Sequence, residues 1–325
     1  MTGVLLGVLL GSLAVTGLGG RRILRRAAPA LVRTPRLAAG LLVSGMLLWL
    51  IAVLSLGPMA AWLFSGPSLL PGQIGDVCQR CIAAASPFST AVVDTAIPVV
   101  VLFFLPTGAG LVIAVSAVRE ARRLARTGAA AADVLRARAR AVTVHDHRVL
   151  LIAESTPVAF ALPSRLGGIV LADSVLDVLS DQELIAVLEH EAAHLRQRHH
   201  LIMITAAAVG RVLGWVPLIA GATEALPTYL EIAADDSARR RSGVPALAGA
   251  LLKLGEPSQP ACVPESAHGL LHAAGPQRIR HLVRPEAARG GIWAAFSLGS
   301  AVLGLVAVTT SIQVPYVLAA AAGCV

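Results

Sequence analysis

The sequence predicts a mainly α membrane protein. Four transmembrane helices are expected, with a cytoplasmic α+β domain inserted between the third and the fourth. Three observations carry this. Of 325 residues, 56% are hydrophobic and only 14% charged, where a soluble domain carries about a quarter charged. The mean hydropathy is +0.74. Uncharged runs about as long as a bilayer span end in arginine clusters, and one central stretch alone has the mixed composition of an independently folded domain.

The first span is "VLLGVLLGSLAVTGLGG", about residues 4–20, followed by Arg21, Arg22, Arg25 and Arg26. A secretory signal would carry its positive charge before the apolar core, so this segment reads as a retained span with the N-terminus outside. Arg33 and Arg36 lie in the short loop that follows. The second span is the uncharged run 37–64, and the third covers about 96–118, ending at Arg119, Arg122, Arg123 and Arg126. The fourth is the uncharged run from Gly291 to Gly323, preceded by Arg278, Arg280, Arg284 and Arg289. Each arginine cluster falls on the same side, which orients the chain as a multi-pass protein of the cell membrane with both termini outside. The expected domains are therefore a membrane domain (1–118), a cytoplasmic domain (119–290), and the fourth helix with a short outside C-terminus (291–325).

The formal net charge is +8. In a soluble protein that excess would suggest nucleic acid. Here the arginines flank apolar runs, and no aromatic side chains are interleaved with them to stack bases, so direct nucleic-acid binding is not expected and the lipid bilayer is the partner. A channel or transporter would place ionisable residues inside its spans, and these four runs are essentially uncharged. Cys78 and Cys81 form a CxxC in the loop expected outside, where a disulfide is permitted. Either a local disulfide or two unpaired thiols fits better than a metal site, which needs further ligands.

Within 119–290, "RVLLIAEST" and "GGIVLADS" read as short strands, and "PVAFALPSRLGG" between them as a turn-rich connection. Ser180 and Glu183 form a capping-box pattern, so a helix should start at about Asp181. It carries Leu184, Ile185, Val187, Leu188, Ala192 and Leu195 as its apolar positions.

On that helix, His190, Glu191 and His194 make the pattern HExxH. Residues four apart share a helix face, so both imidazoles can reach one metal ion. Glu191 can then take a proton from a water held there and pass it to a leaving amine. A third ligand is Glu231 in "YLEIAADDSARR", and Asp235, four residues on, can orient a ligand histidine. Pro227 reads as an early position of that second helix, Arg239 to Arg241 as its C-terminus and Gly243 as its stop. Asp236 points elsewhere and reads as solvated. The donor set fits Zn2+. His199 and His200 fall well around the helix from His194 and read as bystanders. His145 and His147 read as residues of a solvent-exposed loop. The apolar segment 201–222 has Arg211 at its middle, and a single crossing would part Glu231 from the histidines. It reads as the end of the metal helix plus a buried or membrane-dipping connection, with a short hairpin as the alternative.

"LEHEAAHLRQRH", "EIAADDSA", "TPVAFALPSRLGGIVL" and "PQRIRHL" together resemble the gluzincin membrane peptidases, which have a zincin-like metallopeptidase domain. The span order, and the spacing of 37 from His194 to Glu231 (231 − 194), resemble the BlaR/MecR-type branch more closely than the HtpX-type quality-control proteases. The resemblance implies a zinc metalloendopeptidase. His190, His194 and Glu231 would be metal ligands, Glu191 the general base and Asp235 a support behind the ligands. It also implies that Ile169, Val170 and Leu171 belong to an edge strand that receives substrate by strand addition. The expected substrate is a cytoplasmic or membrane-proximal protein, a transcriptional repressor of a signalling pathway among the candidates. The chain reaches Val325 just past its fourth span, so the expectation is a form lacking the outside penicillin-binding sensor domain of that branch. A non-enzymatic signalling protein with a structural metal site is the remaining reading, and an intact Glu191 argues against it.

Overall fold

The computed structural model describes residues 2–56, 64–65, 93–94, 99–254 and 292–321. In chain order these give α1 (Thr2–Leu31), α2 (Pro35–Leu54), the two-residue strands β1 (Phe64–Ser65) and β2 (Val93–Asp94), and α3 (Val99–Arg138). They continue with β3 (Arg140–Val144), β4 (His147–Ile152), β5 (Ala159–Ala161), β6 (Ile169–Ala172), α4 (Asp173–Val178), α5 (Asp181–Arg196), α6 (His199–Leu213), α7 (Pro217–Leu254) and α8 (Ile292–Ala321). The CxxC cysteines Cys78 and Cys81, and the segment 276–282, lie outside the described residues.

The chain is mostly helical. Among the described residues one helix, α2, is long and apolar enough to cross a membrane. It begins with Pro35, whose fixed φ suits a first helical position, and ends at Leu54. Two helices continue past the apolar runs they contain. Helix α1 does not stop at Gly20 but carries its arginines on to Leu31. Helix α3 passes through residues 118 and 119 without a break, because the arginines, alanines and leucines after Val118 are good helix formers.

Two main hydrophobic cores organise the fold. The first is helical and joins Leu13, Leu24 and Ala27 of α1, Leu42 and Met46 of α2, Val209 and Leu213 of α6, Ile219, Leu226 and Leu230 of α7, and Leu305 of α8. The second joins the sheet to α5, with Val149, Phe160, Val170, Leu171, Leu184 and Leu188 buried, and takes in Leu135 of α3 and Ala250 of α7. Helix α7 therefore runs from one core into the other. Segment 202–230, read as a buried or membrane-dipping connection over 201–222, shares its core with α1 and α2.

The segment 201–222 is not a continuation of the metal helix. Helix α5 ends at Arg196, and Arg198 adopts the left-handed conformation (φ 52, ψ 39) that reverses the chain. Helices α6 and α7 then form a hairpin about a turn at Gly214–Val216, with Gly210 against Thr223. A hairpin returns the chain to its starting side, which keeps Glu231 beside the histidines. Pro227 is not an early helical position, since α7 begins at Pro217 and Pro227 lies inside it. At Gly243 the backbone leaves the helix (φ 80, ψ 165) before the element resumes to Leu254. The expected stop is therefore a sharp break, at a backbone conformation glycine adopts readily.

The four-stranded sheet has the order β3-β4-β6-β5. β3 and β4 form an antiparallel hairpin across His145 and Asp146, both at positive φ (44 and 66), as a two-residue turn of the primed type requires. β4 and β6 are parallel, and β5 is antiparallel to β6. This corrects two expectations. "PVAFALPSRLGG" is not only a connection, since Ala159–Ala161 is a strand. Ile169, Val170 and Leu171 are not an edge strand: β6 is bonded on both sides, by β4 and β5, and all four of its residues are buried. The edge next to them is β5.

Candidate metal centre

Helix α5 is set by its cap. The Ser180 N–H donates to the Glu183 carboxylate at 2.8 Å, and the Ser180 hydroxyl donates to the same carboxylate at 2.8 Å. Lys253, beyond the break in α7, donates to Glu183 at 2.6 Å. These bonds, Lys253 foremost, lower the Glu183 pKa from its ordinary 4.5 to about 2. The helix start is thereby tied to the end of α7. Further along, Glu189, with its side chain 4% exposed, accepts from Arg241 of α7 at 2.6 Å and from Arg196 at 3.2 Å. His147 Nε2 lies 3.5 Å from the same carboxylate. His147 is thus the first residue of β4 and faces a buried acid, not a residue of an open loop. His145 does sit in the β3–β4 turn.

Beyond the Glu189–Arg241 tie α5 and α7 continue to pack against each other, and four of the expected side chains meet. His190 Nε2 is 3.4 Å from Glu231 Oε2, and His194 Nε2 is 3.4 Å from Glu231 Oε1. The two Nε2 atoms are 3.1 Å apart. One donor atom from each of the three residues lies within 4.8 Å of the others. Behind them, Asp235 Oδ1 is 3.0 Å from His190 Nδ1, and Asp235 is 1% exposed. Glu191, next to His190 on α5, is also buried. Asp236 is turned away and paired with Arg239 at 2.8 Å.

The donor chemistry fits zinc. Two imidazole nitrogens and one carboxylate oxygen are the three-ligand set of catalytic zinc, whereas structural zinc takes four protein ligands. A cation bound there would balance the buried Glu231 carboxylate and give both imidazoles a shared partner. A hydrogen bond from a ligand imidazole to a buried carboxylate is the usual support behind such a set.

One expectation is overturned at the site itself. His199 is not a bystander at the far end of the helix. It is 3% exposed, and its Nδ1 lies 2.9 Å from His194 Nδ1. The rings meet edge to face, 4.7 Å between centroids. Its Nε2 is 3.2 Å from Gln197 Oε1. Burial, ahead of the nearby His194, lowers its pKa to about 3, so it is held neutral. Extrapolating the helix past Arg196 put His199 on the wrong face. The left-handed turn at Arg198 swings it back, and arginine gives no sequence sign of such a turn. His200 is half-buried, and burial lowers its pKa as well.

Residues 119–231 match the family model of Peptidase family M48. The match covers about a third of the chain and includes His190, Glu191, His194 and Glu231. It supports a metallopeptidase of that family, a class typically dependent on zinc. No curated protein and no solved structure matches the chain.

Proposed function

We propose that the protein is a membrane-bound zinc endopeptidase that hydrolyses a cytoplasmic or membrane-proximal protein. The observation that carries this is the meeting of His190 Nε2, His194 Nε2 and the Glu231 carboxylate, with Asp235 behind His190. His190, His194 and Glu231 would hold the ion, which when bound supplies Lewis acidity towards a water and a peptide carbonyl. Glu191 accepts the proton of the attacking water and returns it to the leaving amine. Asp235 fixes the ring of His190.

Substrate binding is proposed along β5. In its antiparallel pairing with β6, Leu162 N–H donates to Gly168 and Ala172 N–H donates to Val158. The alternation of such a ladder turns the backbone of Phe160 towards β6 and that of Ala159 and Ala161 outward. Among the described residues those two face no further strand, on a strand that packs against the metal helix, and an extended peptide can add there.

Three long helices, α1 to α3, precede the metal helix, and the apolar α8 follows both elements that carry the ligands, an order that supports a BlaR/MecR-type arrangement and a dedicated substrate such as a repressor. An HtpX-type role in quality control differs by requiring many substrates. The test is Glu191→Gln, which keeps the metal and loses cleavage. Captured with this variant and identified by mass spectrometry, one DNA-binding protein supports the first role and a broad set of membrane proteins the second. Cleavage by Glu191→Gln at the wild-type rate overturns the mechanism. A wild-type protein without zinc leaves only the non-enzymatic reading.

A further inference from the structure

The two ligand histidines are held from behind in different ways. His190 has the Asp235 carboxylate at its Nδ1. His194 has another histidine, on a different helix, at its own Nδ1. We infer that His199 is a positioning residue for zinc, fixing the tautomer and ring orientation of His194 as a neutral acceptor. This rests on the zinc reading above.

The argument follows the protons. His194 presents Nε2 to Glu231 and to His190 Nε2. A nitrogen that binds a metal ion cannot carry a proton, so the one proton of neutral His194 sits on Nδ1. That atom is 2.9 Å from His199 Nδ1. Two protonated nitrogens cannot share a hydrogen bond, so His199 Nδ1 is bare and accepts. The proton of His199 is then on Nε2, and Nε2 faces the carbonyl oxygen of Gln197 at 3.2 Å. Each bond in this row has one donor and one acceptor. The row is set in register by the metal at one end and by an amide at the other.

The backbone is built to bring these groups together. Arg198 takes a left-handed conformation that costs a non-glycine residue energy, and the result is that the first residue of α6 lies under the last turn of α5. A neutral acceptor also suits the charge of the site. Glu231, Asp235 and Glu191 already place three buried carboxylates at the site, and a neutral imidazole adds no further charge to be compensated.

The test uses the full chain in detergent and measures zinc affinity by competition with a chromophoric chelator. His199→Leu and His199→Asn are of similar size, but only the asparagine can accept from His194 Nδ1. His199→Leu is expected to weaken zinc binding about 10- to 100-fold, the usual loss for removing such a support. His199→Asn is expected to recover most of that loss. The visible spectrum of the cobalt-substituted protein should change in the leucine variant and stay near wild type in the asparagine variant. Where His199→Leu does not fold, Gln197→Leu carries the same test and should weaken zinc binding less, about severalfold. The inference is overturned if the leucine variant binds zinc as tightly as wild type, or if asparagine loses as much as leucine. A wild-type chain that takes no zinc overturns the metallopeptidase reading itself, and this inference with it.

Discussion

His190 Nδ1 and Asp235 Oδ1 lie 3.0 Å apart, the carboxylate 1% exposed, on two helices that are also joined by Glu183–Lys253 and Glu189–Arg241. A carboxylate this buried is costly unless it is paired. The pairing makes α7 contribute twice to one centre, through Glu231 and through Asp235. Asp235→Asn keeps an acceptor and loses the charge. Its zinc dissociation constant should rise about 10-fold, and that of Asp235→Ala up to about 100-fold. Chelator competition measures both, and equal affinity for wild type and Asp235→Ala would remove Asp235 from the site.

The free edge of β5 is open to a backbone test. Ala161 turns its N–H away from β6, so Ala161→Pro removes a donor offered to substrate without breaking a ladder bond. The expected outcome is a fall in kcat/KM of about 10-fold or more, equivalent to about 1.4 kcal/mol. Zinc content and thermal midpoint should stay close to wild type. Unchanged kcat/KM on a protein substrate would place the substrate elsewhere.

Helix α1 crosses α7 at very close range. A Cβ added at Gly20 would stand 2.6 Å from Leu218 Cβ and 2.8 Å from its Cα, whereas Gly11 has nothing within 4 Å. Small residues permit such crossings between apolar helices. Gly20→Ala should destabilise the protein by roughly 1–3 kcal/mol, read as a lower thermal midpoint in detergent. Gly11→Ala should be neutral or slightly stabilising, since alanine is the better helix former. A neutral Gly20→Ala would contradict the crossing.

Glu183 gives the fold a dependence on acid. Its pKa is lowered in the folded protein, from 4.5 to about 2. A lowered carboxylate pKa contributes stability that is fully present above about pH 4.5 and lost as the pH falls towards 2. Glu183→Gln should therefore be less stable than wild type at pH 7, and the difference should shrink through pH 4 to 3. A difference that stays constant over that window would show that the Lys253 contact does not depend on the charge.

The sequence made the metal helix readable because local rules agreed there. Ser180 and Glu183 marked its start, and a spacing of four placed His190 with His194, and Glu231 with Asp235. What it concealed depended on the chain's path or on strand pairing. Ile169–Ala172 is buried on both faces, and such a run does not tell an interior strand from an edge strand, because the partner strands are not local. Ala159–Ala161 is only three residues long and lies between Pro157 and Pro163, which read as turn. His199 was lost because periodicity carries information only as far as the helix lasts, and α5 ends at Arg196. Helix α7 was legible around Glu231 but not at its start, since Pro217 and Pro227 are equally good first residues by composition.

The central claim is that one zinc ion is held by His190, His194 and Glu231. Metal analysis of the purified full chain tests it most directly, with wild type beside His190→Ala, His194→Ala and Glu231→Ala. The account predicts about one zinc per chain in wild type and a marked loss in each variant. A wild-type protein without zinc, or one that keeps its full zinc content when His190 or His194 is removed, would contradict it.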